Sequence, residues 1–297
     1  MLEHLITEVR NPASSNIDTL PTEEALRIIN DEDARVPASV RAAIPQIAKA
    51  VDAVAGALGA GGRLFYFGAG TSGRLGVLDA SECPPTYSVP PHLVQGVIAG
   101  GEPALTRAVE GVEDDPTAGA ADARDRGIGA ADVVCGIAAS GRTPYVLGAL
   151  EEARRAGATT LGVSCAPDSP LSRAVDIAIE VPVGPEVVTG STRMKAGTAT
   201  KLVLNMLTTG VMIRMGFVYG NLMVNVQPRN EKLRDRARRI IREVTGVDEA
   251  AAASLLESGG NDVRVAILMS LRKTDRDDAA HRLATAGGSL ARALAEN

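Results

Sequence analysis

Two turns rich in serine and glycine carry the residue types that hold a phosphate ester. The first is GAGTSG at residues 68–73, which follows the short apolar run 64–67. Glycines let the backbone approach a ligand, and the first N–H groups of a following helix attract an anion. The hydroxyls of Thr71 and Ser72 add two hydrogen-bond donors. We therefore interpret Gly70, Thr71 and Ser72 as one half of a phosphate cradle.

A second turn repeats this pattern. The motif AASGRTP at residues 138–144 follows the apolar run 132–137, and its tripeptide Ser-Gly-Arg also occurs at residues 72–74. Both copies lie between a predicted strand and a predicted helix. The repetition predicts that Ser140, Gly141, Arg142 and Thr143 grip the same phosphate from the other side.

The first turn has two other interpretations, a dinucleotide site and a plain tight turn. The spacing of Gly68, Gly70 and Gly73 fits the dinucleotide fingerprint, but that site expects an acid about 20 residues further on. Residues 87–92, YSVPPH, contain none. A plain tight turn would explain the glycines, but it would leave the adjacent Thr71 and Ser72 unexplained. A phosphate ester is the better ligand.

Residues 184–195 form a third candidate anion site. Ser191 or Thr192 is a suitable N-cap for a helix that reaches about residue 215. Cations are disfavoured at a helix N-terminus, so Arg193 and Lys195 there suggest a nearby anion, with a local pair to Glu186 as the alternative. We expect Ser191 and Lys195 to contact the ligand. From residue 202 the helix is apolar nearly all round, which is typical of a core or of a subunit interface.

The elements around these turns alternate between strand and helix. Such alternation predicts an α/β fold whose mostly parallel sheet is covered on both faces. We expect a helix from Thr22, a second from about residue 38 to 58, and a helix from Arg74 that ends before Ser81, because Pro84 and Pro85 follow. The predicted parts are residues 1–60 (N-terminal helices packing on the core), 61–230 (the sheet core) and 231–297 (a small helical module).

Composition excludes several classes of partner. The 297 residues carry a formal net charge of −5, which argues against nucleic acid and anionic membranes. Three scattered cysteines, Cys83, Cys135 and Cys165, are expected to be buried thiols in a reducing compartment. The three histidines lie far apart, so neither a metal site nor a Ser-His-Asp triad is visible. We expect a cytoplasmic protein without metal or cofactor.

Four motifs together resemble a known family. GAGTSGR (68–74), DASECPPT (79–86), AASGRTP (138–144) and residues 184–201 resemble the N-acetylmuramic acid 6-phosphate etherases, which belong to the sugar isomerase (SIS) superfamily. The last stretch is also shared with glucokinase regulatory proteins. The resemblance covers nearly the whole chain. It implies a five-stranded SIS sandwich, a homodimer with sites near the interface, and cleavage of a D-lactyl ether to N-acetylglucosamine 6-phosphate and D-lactate.

The resemblance also implies that Glu82 and Glu113 are catalytic. Ether elimination needs an acid and a base in different protonation states. A helix end and prolines beside Glu82 would favour the protonated acid. Glu113 would be the base, with Arg74 or Lys195 offsetting its acidic neighbours. Alternatively, residues 110–115 are plain surface, and Asp115 only caps a helix.

Two further functions remain open from the residues alone. One is a phosphosugar isomerase on the same fold, which also needs a base beside C2. The other is a phosphosugar sensor without catalytic activity. Glu82 favours the etherase over the sensor, because a sensor needs no proton donor.

Overall fold

Five short apolar strands form a parallel sheet in the computed structural model, which describes residues 7–295. The sheet order is β2-β1-β3-β4-β5. Its strands are β1 (Leu64–Gly68), β2 (Val94–Ile98), β3 (Val133–Ile137), β4 (Thr159–Ser164) and β5 (Ile177–Glu180). β1 pairs with both β2 and β3, so the strand order reverses at β1. Open α/β sheets bind ligands at such a reversal, beyond the carboxyl ends of the strands.

Nine α-helices accompany the sheet between Thr22 and Arg214. They are α1 (Thr22–Asp33), α2 (Val36–Ala42), α3 (Ile44–Gly59), α4 (Gly70–Tyr87), α5 (Pro103–Thr106), α6 (Pro116–Asp125), α7 (Pro144–Arg155), α8 (Pro170–Ala174) and α9 (Lys195–Arg214). A 3₁₀ turn at Val112–Asp114 precedes α6. The predicted three-layer SIS-type α/β sandwich with a mostly parallel five-stranded sheet is confirmed.

Alternate residues of β1 cover opposite faces of the sheet, as the period of a strand requires. Phe65 and Phe67 join a buried cluster that includes Tyr145 and Leu150 of α7. Tyr66 faces the other way, and its hydroxyl donates to Asp79 of α4 at 3.0 Å. The strand is therefore fully buried between two helical layers.

A buried carboxylate ties α4 to α9. Asp79 accepts hydrogen bonds from Asn205 Nδ2 at 2.9 Å and Thr208 Oγ1 at 3.2 Å, besides the one from Tyr66. Burial raises the pKa of Asp79, although these three hydrogen bonds oppose that rise. The network fixes the helix whose first turn forms half of the predicted phosphate cradle.

Two glycines bring α6 and α7 into direct backbone contact. A Cβ atom on Gly119 would collide with the carbonyl oxygen of Tyr145, and one on Gly148 would collide with that of Pro116. The two helices therefore touch main chain to main chain. Asp122 Oδ2, on α6, also accepts a hydrogen bond from the Tyr145 hydroxyl at 2.5 Å.

The chain divides into two compact units. The first extends to Glu82 and resumes over Pro91–Thr208; the second consists of Cys83–Pro90 and the chain from Thr209 onward. Two of the three boundaries fall inside helices, α4 and α9, and the third falls between α4 and β2. The three-part division at residues 60 and 230 stays a prediction, because compactness separates only these two units.

The second unit is a short hairpin followed by helices. Its elements are β6 (Val218–Tyr219), β7 (Leu222–Met223), α10 (Glu231–Thr245), α11 (Glu249–Ser258), α12 (Val263–Arg272), α13 (Arg276–Thr285) and α14 (Leu290–Ala295). Four helices begin at an Asn or Asp whose side chain caps the first turn: Asn230, Asp248, Asp262 and Asp275. The predicted C-terminal helical module is confirmed.

None of the helices within residues 7–295 is long and apolar enough to cross a membrane. The three cysteines are buried and free of disulfides, as predicted.

Candidate active site

A cleft of about 630 Å³ opens in the first unit at the carboxyl ends of β1 and β3. Both predicted phosphate turns line it. The predicted residues that line it are Gly70, Thr71, Ser72, Glu113, Ser140, Arg142 and Thr143. Gly141, Ser191, Lys195 and Glu82 are not among the lining residues. The structure thus brings together two turns that are almost 70 residues apart in the sequence.

The first turn is tight enough to require glycine. A Cβ atom on Gly73 would lie 2.6 Å from Ile98 Cγ1, and one on Gly68 would lie 2.6 Å from the backbone nitrogen of Gly73. Gly70 has open space around it but a φ of +52°, which side-chain-bearing residues rarely adopt. Because α4 begins at Gly70, the N–H groups of its first turn and the hydroxyls of Thr71 and Ser72 lie at one end of the cleft.

The second turn presents hydroxyls at the start of α7. Ser140 Oγ accepts a hydrogen bond from Arg142 N at 3.3 Å, and Gly141 turns the chain with a φ of +64°. Gly141 itself is buried, and a Cβ atom there would collide with Ser169. Thr143 occupies the N-cap of α7 but makes no capping hydrogen bond. Its hydroxyl therefore remains available to a ligand in the cleft.

The two Ser-Gly-Arg copies differ in what their arginines do. Arg142 is exposed and lines the cleft. Arg74 instead donates from Nε to the carbonyl oxygen of Leu105 at 3.1 Å and from Nη2 to that of Arg107 at 2.9 Å. Arg74 thus anchors the segment that leads to Glu113. That its charge offsets the acids beside Glu113 stays a prediction.

Glu113 reaches the cleft from the 3₁₀ turn before α6. Gly111, with a φ of +77°, starts this turn, and Asp115 ends it by accepting from Thr117 N at 2.8 Å and Ala118 N at 3.2 Å. Hydrogen bonds from the Thr117 side chain and from these two N–H groups hold the pKa of Asp115 below its usual value. Asp115 is therefore a helix cap, whereas Glu113 and Asp114 are exposed and line the cleft.

Glu82 lies elsewhere on the first unit. The prediction that its helix ends before Ser81 was wrong, because α4 continues through Pro84 and Pro85 to Tyr87. The last turn is completed by Ser88 N, which donates to the Pro84 carbonyl at 2.9 Å. Glu82 is exposed within this helix, so the argument from a helix end does not apply to it.

The anion beside Lys195 is a protein carboxylate. Lys195 is 1% exposed, and its Nζ lies 2.5 Å from Glu32 Oε2. Glu186, also buried, accepts from the backbone nitrogens of Lys195 at 3.0 Å and Ala196 at 2.9 Å, and so caps α9. The helix therefore begins at Lys195, and the predicted cap at Ser191 or Thr192 was wrong. The cation at this N-terminus is explained by Glu32 and Glu186 without a ligand.

Lys195→Met should destabilise the fold by about 3–5 kcal/mol, because it leaves the Glu32 carboxylate buried without its main partner. Burial alone would raise the pKa of Glu32, but hydrogen bonds from Lys195 and Asn11 and the charges of Lys195 and Arg35 lower it overall. The stabilisation is therefore present at neutral pH and is lost as the pH falls through this lowered pKa. Urea unfolding at neutral and acidic pH measures both effects.

The exposed Lys49 on α3 provides the control. Lys49→Met should change the stability by less than about 0.5 kcal/mol. The structural role would be contradicted if Lys195→Met were as stable as the parent but had lost affinity for phosphate. Lys195 would then be a ligand-binding residue, as the sequence predicts.

Sequence reasoning missed one wall of the cleft. Thr7 and Glu8 line it, together with Gly190, Thr192 and residues of the first two turns of α9. Thr-Glu before the predicted helix at Thr22 has no motif character, so no local pattern distinguished these residues. In the described part of the chain, no group of three or more His, Cys, Asp and Glu residues could hold a metal ion.

Family models and solved structures define the class of protein. Residues 46–154 match the model of the glucokinase regulatory protein N-terminal SIS domain, and residues 116–210 match that of the SIS domain. The phosphoheptose isomerase of Francisella tularensis superposes with a TM-score of 0.53 at 19% identity, covering 65% of this chain and 98% of that one. The chain has the fold of an SIS protein.

Relatives that align with nearly the whole chain identify the family within the SIS class. The N-acetylmuramic acid 6-phosphate etherase of Gloeobacter violaceus is 56% identical over 98% of this chain and 95% of its own length. That of Aeromonas hydrophila is 55% identical over 97% of both chains. The chain belongs to the N-acetylmuramic acid 6-phosphate etherase family.

Proposed function

We propose that this chain performs its family's reaction in the cleft, with Glu113 as the base. The enzyme is a lyase that cleaves the D-lactyl ether of N-acetylmuramic acid 6-phosphate. The observation that supports this placement is that Glu113 lines the same cleft as two hydroxyl-bearing turns at neighbouring strand ends. Incubation with N-acetylmuramic acid 6-phosphate and assay of D-lactate tests the activity directly.

The reaction starts from the ring-opened aldehyde, whose carbonyl acidifies the hydrogen on C2. The Glu113 carboxylate removes this proton and leaves an enolate, whose electron pair then forms the C2=C3 double bond as the C3–O bond breaks. A general acid protonates the departing lactyl oxygen. Water then adds to C3 and a proton returns to C2, so that one water is consumed and N-acetylglucosamine 6-phosphate and D-lactate are formed.

The phosphate is proposed to lie between the two turns. Thr71, Ser72, Ser140 and Thr143 offer hydroxyls, the N-termini of α4 and α7 offer N–H groups, and Arg142 supplies a positive charge. Neither turn contains a carboxylate that would repel the phosphate. This arrangement supports a dianionic ester as the anchored group, which leaves the sugar carbons facing the rest of the cleft. Gly141 and Ser191 are proposed to position the lining residues beside them, since Gly141 lies between Ser140 and Arg142, and Ser191 between Gly190 and Thr192.

Ser72→Ala and Ser140→Ala should each raise the KM for the phosphosugar about 10- to 100-fold, since a hydrogen bond to a charged group contributes about 1.5–3 kcal/mol. Steady-state kinetics of lactate release measures the effect. Ser81→Ala is the matched control, because Ser81 lies on the same helix as Ser72 but its hydroxyl bonds the Leu78 carbonyl at 2.8 Å. An unchanged KM in both cleft variants would refute this placement of the phosphate.

We further propose that Glu82 is the general acid and that a second subunit brings it to the cleft. Glu82 does not line the cleft of its own chain, whereas an acid must reach the leaving oxygen. Leu78, one helical turn before Glu82, is 52% exposed, and Met206 on α9 is 41% exposed. Exposed apolar side chains beside a functional carboxylate fit a subunit interface. The proposed assembly is a homodimer in the cytoplasm, where the three buried thiols would stay reduced.

A further inference from the structure

The segment before α1 forms part of the cleft. Its Thr7 carbonyl accepts from Gly190 N at 3.1 Å, Asn11 Nδ2 donates to the Pro185 carbonyl at 3.1 Å, and Ser14 Oγ donates to the Val187 carbonyl at 2.7 Å. Three hydrogen bonds over eight residues fix this segment against the loop that precedes α9. Thr7 and Glu8 are thereby held at the wall of the cleft.

Glu8 is positioned with one carboxylate oxygen available. Thr7 Oγ1 donates to Glu8 Oε1 at 3.3 Å. A Cβ atom on Gly190 would lie 3.4 Å from Glu8 Oε2, so the carboxylate lies directly against this glycine. Among residues 7–295, no side chain or N–H group is hydrogen-bonded to Oε2. The side chain is exposed to the cleft, which leaves this oxygen free to accept a hydrogen bond.

The charge of the Glu8 carboxylate determines which groups of the substrate its Oε2 can contact. An ionised carboxylate only accepts hydrogen bonds, and it repels both the phosphate and the lactyl carboxylate. The donors that remain on the substrate are its sugar hydroxyls and its acetamido N–H. The phosphate donors are already assembled on the two turns that end β1 and β3, whereas Glu8 lies on the wall formed with Gly190.

We propose that Glu8 is a substrate-recognition residue that accepts a hydrogen bond from a hydroxyl or amide N–H of the amino sugar. This inference rests on the proposed function of the cleft, because it takes the two turns to hold the phosphate. Glu8 then selects the sugar, whereas the turns select the ester. Its contribution is separate from proton transfer at C2, which Glu113 performs.

The test compares two ligands by calorimetry: inorganic phosphate and N-acetylglucosamine 6-phosphate. Glu8→Ala should raise the Kd of the sugar phosphate about tenfold or more and should not raise the Kd of phosphate, because the carboxylate that it removes repels this ion. Glu8→Gln, which keeps an acceptor oxygen but not its charge, should show a smaller rise. Glu23→Ala is the control, because Glu23 is an exposed acid on α1 that pairs with Arg27. Thermal unfolding should be the same for all three variants.

Two results would overturn the assignment. Equal weakening of both ligands by Glu8→Ala would mean that Glu8 only supports the wall of the cleft. Unchanged binding of both would mean that Glu8 does not meet the sugar. Failure of the proposed function is distinguishable from either, because it would show as a parent protein that binds the sugar phosphate but releases no lactate from the ether.

Discussion

Glu113→Gln should release D-lactate about 10²- to 10⁴-fold more slowly than the parent enzyme, because the amide cannot accept the C2 proton. It should also fail to exchange the C2 hydrogen of the substrate for deuterium. Proton NMR of unreacted substrate in deuterium oxide measures exchange, and a coupled lactate assay measures the rate. The side chain is exposed and caps no helix, so the variant should fold as the parent does.

Asp114→Asn is the matched control for this experiment. Asp114 is the next residue, is equally exposed, and lines the same cleft. If charge in this turn were all that mattered, both variants would lose activity alike. Glu82→Gln should lose lactate release but keep C2 exchange, provided that the carbanion is reprotonated faster than it eliminates. Exchange by Glu113→Gln and none by Glu82→Gln would show that the two roles are reversed.

Mixing inactive Glu82→Gln and Glu113→Gln subunits should restore activity. If each site combines Glu113 from one chain with Glu82 from its partner, a mixed dimer holds one intact site. Random exchange of subunits makes half of the dimers mixed, so about a quarter of all sites recover. The lactate assay before and after exchange measures a rise from nearly no activity.

The mixing experiment contains its own controls. Each variant incubated alone should stay inactive, and two different affinity tags show that mixed dimers have formed. No recovery in a purified mixed dimer would place both carboxyls in one subunit or remove Glu82 from the reaction. A monomer in sedimentation at micromolar concentration would remove the shared site altogether.

The parts of the fold that follow from local sequence were predictable. Each phosphate turn is a strand, a short run of glycines and hydroxyl residues, and a helix, all within about 20 residues. Parallel strands place such turns at one edge of a sheet, so their meeting in one cleft followed from the alternation of elements. The cap at Asp115 followed from Asp before Pro, since both residues act on their own helix.

The errors concern partners that are distant in the sequence. Lys195 is paired with Glu32, 163 residues away, and nothing near either residue encodes that contact. Arg74 and Arg142 have the same two preceding residues, yet only Arg142 lines the cleft, because the carbonyl groups that bind Arg74 come from α5 and its following loop. The helix through Pro84 and Pro85 also depends on a partner that is distant in the sequence. Proline removes one hydrogen bond from a helix, but the end of α4 is held by Asn225 Nδ2, which donates to the Tyr87 carbonyl at 2.6 Å from 138 residues further along the chain.

The glycine contact between α6 and α7 sets the distance between two parts of this cleft. Helix α6 begins two residues after Asp114, and α7 begins directly after Thr143. Because Gly119 and Gly148 let the two main chains touch, no side chain sets the gap between them. The span from the proposed phosphate site to the Glu113 carboxylate is thus set by backbone contact between α6 and α7. A sugar phosphate with one carbon more or fewer between its ester and its aldehyde would present a different carbon to that carboxylate.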